Sequence, residues 1–136
     1  MIDDSELEGN LLEFRQKSFQ FVRSESVAGR DYAVFARTET ESESRLRPQL
    51  VHLTVAVPRE WLAYDAAIDL LRIAPGGSLA PRRPGLAVES AAEPSEFEEE
   101  GTAWVRLAPE DRAFVYLPRE RARALGPEAV RRLVHR

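Results

Sequence analysis

Two histidines, His52 and His135, are the only imidazoles in the chain, and cysteine is absent. Nucleophilic catalysis needs a base beside a hydroxyl or thiol, and neither position favours one. His52 lies in an alternating run, where a strand histidine usually fills a semi-exposed sheet face; His135 is next to the last residue. No G-x-S-x-G turn presents a serine. Nucleotide signatures are missing too: the single lysine, Lys17, follows Gln16, and neither G-x-x-x-x-G-K-S/T nor G-x-G-x-x-G occurs. Gly76-Gly77-Ser78 could offer backbone N–H groups to an anion, although a glycine pair after a helical pattern is more often its stop. Asp65 and Asp69 sit four apart, a spacing that on a helix could hold a hard cation or pair two carboxylates. Arg72 lies three beyond Asp69 and offsets their repulsion, so a solvated stripe is the simpler reading. An enzyme would need an unfamiliar site built from Asp65, Asp69, His52 or Tyr116. The expectation is no catalysis, no cofactor and no metal.

Binding has more material. Residues 119–136 carry Arg119, Arg121, Arg123, Arg131, Arg132 and Arg136 against Glu120 and Glu128. Guanidinium forks match phosphate and carboxylate oxygens, so Arg121, Arg123, Arg131 and Arg132 are candidates for an anionic partner. The run Glu93-Pro94-Ser95-Glu96-Phe97-Glu98-Glu99-Glu100 is its acidic counterpart. As a loop it would simply be solvated, but Phe97 among glutamates makes Glu96, Phe97 and Glu98 a candidate docking strip for a basic partner. Leu62, reading as an exposed apolar residue between charges, joins them as a contact candidate. The net charge of -4 and pI near 5.3 oppose a dedicated nucleic-acid coat, because phosphate binding draws mainly on Lys and Arg releasing counterions.

The elements that must hold these residues are those of one domain spanning 1–136, a common single-domain size. Hydrophobic residues at 43% and charged residues at 31% are ordinary globular values. The acidic start and the absence of a long apolar run predict no signal, no membrane span and a cytoplasmic setting. Ser5 and Glu8 fit a capping box, and Leu7, Leu11 and Phe14 recur at helical spacing, predicting a short helix over 5–16. Alternation around Phe19 and Phe21, a turn at 27–31, then Tyr32, Val34 and Phe35 predict a hairpin. Its second strand continues through a glutamate-hydroxyl ribbon at 38–44. Val51, Leu53, Val55 and Val57 mark a central strand. Trp61, Tyr64, Ile68 and Leu71, following Pro58, predict the main helix over 58–73, ended by Pro75-Gly76-Gly77. Residues 75–101 read as a long Pro/Gly/Glu-rich loop with at most a short strand at 86–88. A second hairpin turns at Ala108-Pro109-Glu110-Asp111, and Gly126-Pro127 splits the tail into two short helices.

The sum is an α+β domain with a mostly antiparallel sheet of about five strands. Its element order resembles that of the type III secretion chaperones, dimers that hold an extended partner segment; the insertion at 75–101 departs from that order and no motif accompanies it. The functional expectation is a non-catalytic protein-binding module, such as an adaptor, inhibitor or small chaperone. Nucleic-acid association through the arginine-rich tail is the alternative, and an edge strand offers a route to a homodimer.

Overall fold

The structure, a computed structural model, describes residues 2–41, 48–81 and 94–134. It is mostly β: nine strands form one mixed sheet, so the expected α+β domain of five strands and one main helix is overturned. The strands are β1 (Leu11–Phe14), β2 (Lys17–Val27), β3 (Arg30–Glu41), β4 (Gln49–Pro58), β5 (Leu62–Asp65), β6 (Leu70–Ile73), β7 (Glu96–Glu99), β8 (Thr102–Glu110) and β9 (Ala113–Pro118). Their spatial order is β5-β6-β1-β2-β3-β4-β9-β8-β7. The β1–β6 and β4–β9 pairs are parallel and the other neighbours antiparallel. With the main helix gone, the chaperone-like element order does not hold.

At the N-terminus a single helical turn, α1 (Asp4–Glu8), replaces the predicted helix over 5–16. Its cap is Asp3, whose carboxylate accepts the Ser5 hydroxyl at 2.7 Å and the Glu6 N–H at 2.9 Å. Those two bonds hold the Asp3 carboxyl below its ordinary range. Gly9 ends the turn, and β1 follows with Leu12 and Phe14 buried and Leu11 43% exposed. Strand alternation within Leu11-Leu12-Glu13-Phe14 therefore prevails over the 7-11-14 spacing.

The β2–β3 hairpin and the central β4 are as the alternation predicts. Ala28 and Gly29 form the two-residue turn, both with positive φ, at 53° and 74°. That is the twist two-residue hairpins require, and only glycine adopts it freely. Ala28→Asn would give the preferred Asn-Gly pair; we expect it to raise stability by about 1 kcal/mol in urea denaturation. On β4 both faces are buried from Leu53 onward, as befits a strand between β3 and β9.

Residues 58–73 form no helix. A 3-10 turn at Arg59–Trp61 leads into β5, which pairs with β6 from Leu62↔Ile73 to Asp65↔Leu70. The Asp65 carboxylate accepts the Ala67 N–H at 3.0 Å, an Asx turn that offers the backbone an alternative to helical pairing. Asp69 then takes a left-handed conformation at φ 54°, which aspartate tolerates better than most residues. Pro75–Gly77 makes one 3-10 turn after β6 rather than a helix stop.

The second hairpin turns at Asp111-Arg112, later than predicted, with Arg112 at φ 56° and a register shift between Leu107 and Glu110 on β8. The loop expected over 75–101 contains β7, which pairs with β8 from Glu96↔Val105 to Glu99↔Thr102. The short strand expected at 86–88 lies outside the described residues. The tail does split at Gly126-Pro127, into α2 (Arg119–Ala122) and α3 (Pro127–Leu133).

The sheet is curled. In the strand order β7 lies six places from β1, which in a flat sheet would separate them by about 29 Å. Yet the ring of Phe14 on β1 lies 6.0 Å from that of Phe97 on β7, 5.0 Å from Trp104 and 5.4 Å from Tyr116. The concave side holds the main core, including Phe14, Phe19, Phe35, Val55, Leu71, Trp104 and Tyr116, with Leu7 of α1 packed in. On the convex side, Val34, Ala56, Val115 and Leu117 are covered by Val130, Leu133 and Val134 of the tail. Among the described residues no helix is long and apolar enough to cross a membrane.

Candidate interaction site

The curl brings the β1–β2 turn against β7. Arg15 and Gln16 form that turn, both left-handed. The Arg15 guanidinium lies 4.2 Å from the Phe97 ring centroid, and the Arg15 N–H donates to the Glu99 carboxylate at 3.3 Å. Phe97 also packs edge-on against Tyr116 at 5.7 Å. Its side chain is thus the half-buried anchor of β7, not an exposed residue in a loop. Arg72, 4% exposed, ties the next turn in: it donates to Asp65 at 3.0 Å, to the Ala80 carbonyl at 2.8 Å and to Glu100 at 3.4 Å. Burial works against the Arg72 charge, but Asp65 and Glu100 outweigh it and raise its pKa.

Alternation sends Phe97 and Glu99 inward and leaves Glu96 and Glu98 exposed. The backbone follows a related rule. Arg106 N–H donates to the Ser95 carbonyl at 2.8 Å, which fixes that opposed pair as hydrogen-bonded. In an antiparallel ladder such pairs alternate, so Phe97 and Glu99 bond to β8 while the N–H and C=O of Glu96 and Glu98 are directed away from it. Exposed acidic side chains and outward main-chain groups thus occur on the same two residues.

Burial pushes the Glu99 carboxyl up, reinforced by the nearby Glu100 and Glu13 charges and opposed by the bond from Arg15. A carboxyl raised in the fold binds its proton more tightly there than in the unfolded chain. Its contribution to stability is therefore lost as pH rises from the unfolded value through the folded one. Glu99→Gln keeps an acceptor for Arg15 and removes the charge. We expect a higher Tm than wild type at pH 7, by a few degrees, with the gap closing as pH falls into the carboxylate range. Glu39, farther along the sheet, behaves oppositely. Burial would raise it, but bonds from Lys17 at 2.6 Å and Arg37 at 3.0 Å win and lower it, so its contribution is lost as pH falls.

The residues weighed for catalysis do not converge. Asp65 is committed to Arg72 and the Ala67 N–H, and Asp69 accepts the Tyr64 hydroxyl. Tyr116 is buried among aromatic rings, and exposed His52 meets Thr38 at 3.3 Å. No group of three or more His, Asp or Glu side chains suited to a metal occurs among the described residues. His135 lies outside the described residues. Leu62 is 7% exposed and packs in the main core instead of facing solvent between charges.

The arginine-rich tail is divided in role. Arg121 is 8% exposed, donates to Glu60 at 3.2 Å and stands 5.9 Å from the Trp61 ring. Arg132, though exposed, pairs with Glu25 at 3.1 Å, while Arg23 donates to the Arg132 carbonyl at 2.6 Å and so clamps α3 to β2. Arg119, Arg123 and Arg131 are exposed. Sequence reasoning missed Arg15, Arg72 and Glu99 as the groups that join the two ends of the sheet. A Phe-Arg-Gln-Lys turn carries no glycine, asparagine or proline to signal it. No family model, curated protein or solved structure matches this chain.

Proposed function

We propose that this chain is a non-catalytic protein-binding module whose acidic strand β7 pairs with an extended, basic segment of a partner protein. The observation that carries this reading is the coincidence at Glu96 and Glu98 of exposed carboxylates with main-chain groups directed away from β8. Strand addition gains affinity from main-chain hydrogen bonds and specificity from alternate side chains. Here those side chains call for Lys or Arg. A second copy docking at β7 would set glutamate against glutamate, which disfavours self-pairing. Anchoring by Phe97 and Arg15 keeps the strand in place before a partner arrives, lowering the ordering cost of binding. A cytoplasmic setting belongs to the same proposal.

Nucleic-acid binding through α2 and α3 is the competing reading, and the two separate by charge reversal. The chain is recovered from its native cells with its bound material, in wild-type form and as the double variants E96K/E98K and R123E/R131E. Loss of a nuclease-resistant protein partner with the first variant alone supports strand addition at β7. Loss of a nuclease-sensitive, steeply salt-dependent partner with the second alone replaces it.

A further inference from the structure

The ladder that β7 can offer a partner is short. At one end the Ser95 carbonyl is bonded to β8, so the neighbouring Pro94 has the outward parity of Glu96 and Glu98, but proline has no N–H to donate. At the other end Glu100 is left-handed at φ 52° and turns the chain into β8. Between these two stops the outward donors are the N–H groups of Glu96 and Glu98. An added strand therefore sets two residues, two apart in its own sequence, opposite Glu96 and Glu98, with their side chains on the face of the two carboxylates. The residue between them points to the other face, opposite Phe97. In antiparallel addition, the more stable arrangement per residue, that middle pair is the non-hydrogen-bonded one, with Cα atoms about 4.5 Å apart and the side chains closer together.

We propose that the segment received by β7 has the alternating order basic, β-branched apolar, basic: Lys or Arg opposite Glu96 and Glu98, with Val or Ile between them against Phe97. The inference rests on the strand addition proposed above and adds a requirement on order, which a run of basic residues does not meet. Charge fixes the outer positions, since opposite charges paired across strands attract and like charges repel. The concave face fixes the middle one. Phe97 is half-buried there, with the Arg15 guanidinium 4.2 Å from its ring centroid. A basic middle residue would meet Arg15, and an acidic one would meet Glu99, which points to the same face and accepts the Arg15 N–H. A β-branched apolar side chain avoids both charges and covers what remains open of the Phe97 ring, a favourable cross-strand pairing.

The full chain is titrated with blocked peptides that carry Lys-Val-Lys, its isomer Lys-Lys-Val, or Lys-Ser-Lys between identical threonine flanks. All have the same net charge. Binding is read from the Glu96 and Glu98 amide signals in proton–nitrogen NMR, and from the indole of Trp104, which lies opposite Phe97 on β8. The expected result is a saturable shift with Lys-Val-Lys and a nuclear Overhauser contact between its valine methyls and the Phe97 ring. The isomer, which sets only one lysine on the glutamate face and loses the Phe97 contact, should bind about fivefold more weakly; Lys-Ser-Lys, which loses the contact alone, about threefold. The E96K/E98K chain should show no shift with any of them. Equal affinity for Lys-Val-Lys and its isomer, or for Lys-Val-Lys and Lys-Ser-Lys, with the shifts still at Glu96 and Glu98, would overturn the required order and leave strand addition standing. Absence of a shift at Glu96 and Glu98 with every peptide would overturn both.

Discussion

Phe14→Ala should cost about 3–5 kcal/mol of stability, the range for truncating a buried aromatic residue, and leave little of the roughly 5–15 kcal/mol a domain usually has. Phe14 is 1% exposed and meets Phe19, Phe97, Trp104 and Tyr116 with ring centroids between 5.0 and 6.0 Å. One side chain thus joins β1 and β2 to β7, β8 and β9, and its loss removes the packing that keeps the sheet curled. The neighbouring Leu11→Ala, at a 43% exposed position on the same strand, should change stability by no more than about 0.5 kcal/mol. Urea denaturation of the two variants separates the alternating strand from a helix, in which Leu11 and Phe14 would share a face. A double-mutant cycle of Phe14 with Phe97 should show a coupling of about 0.5–1.5 kcal/mol. Equal costs for Leu11 and Phe14, or no coupling to Phe97, would remove the basis for bringing β7 to the seam.

The second large effect concerns binding. E96K/E98K replaces two exposed carboxylates by ammonium groups, and a basic partner strand would then face like charge. Such juxtaposition costs several kcal/mol, and a loss of about 3 kcal/mol is already about a hundredfold in affinity. Stability of the free protein should stay within about 0.5 kcal/mol of wild type, as for other surface substitutions. Isothermal titration with the purified partner measures the first quantity and urea denaturation the second. A partner bound equally well by wild type and variant would remove Glu96 and Glu98 from the interface.

Parts of this architecture are written locally and were legible. The β2–β3 hairpin has Phe19 and Phe21 two apart and a turn at Ala28-Gly29, and β4 carries apolar residues at every second position, Val51, Leu53, Val55 and Val57. Gly126-Pro127 is a local stop and start, and the tail breaks there. Other parts depend on partners far away in sequence. Trp61, Tyr64, Ile68 and Leu71 do fall at helical spacing. The Asx turn at Asp65 and the pairing of Leu62 with Ile73 nevertheless form a hairpin, since β6 lies against Leu12 of β1. The glutamates of β7 have low strand propensity; that segment is a strand because β8 pairs with it and Phe97 has a core to enter.

The candidate site shows the same division. Glu96 and Glu98 are exposed, as charged residues usually are, but charge alone does not separate them from Glu99, which strand alternation sends inward. The burial of Phe97 and Arg121 was not legible, because each is covered by an element more than twenty residues distant, the Arg15 turn and Glu60 with Trp61 respectively; Leu62 is buried because β5 joins the core cluster that holds Leu7, Leu12 and Phe14. What reads as a flexible acidic loop therefore becomes an anchored strand only once the sheet curls.

The central claim is that β7 receives a partner strand, and amide hydrogen exchange tests it most directly. In the complex purified from native cells, the N–H groups of Glu96 and Glu98 should become protected relative to the free chain, while those of Phe97 and Glu99, already bonded to β8, change little. Protection confined to α2 and α3, with Glu96 and Glu98 exchanging as in the free protein, would contradict the account.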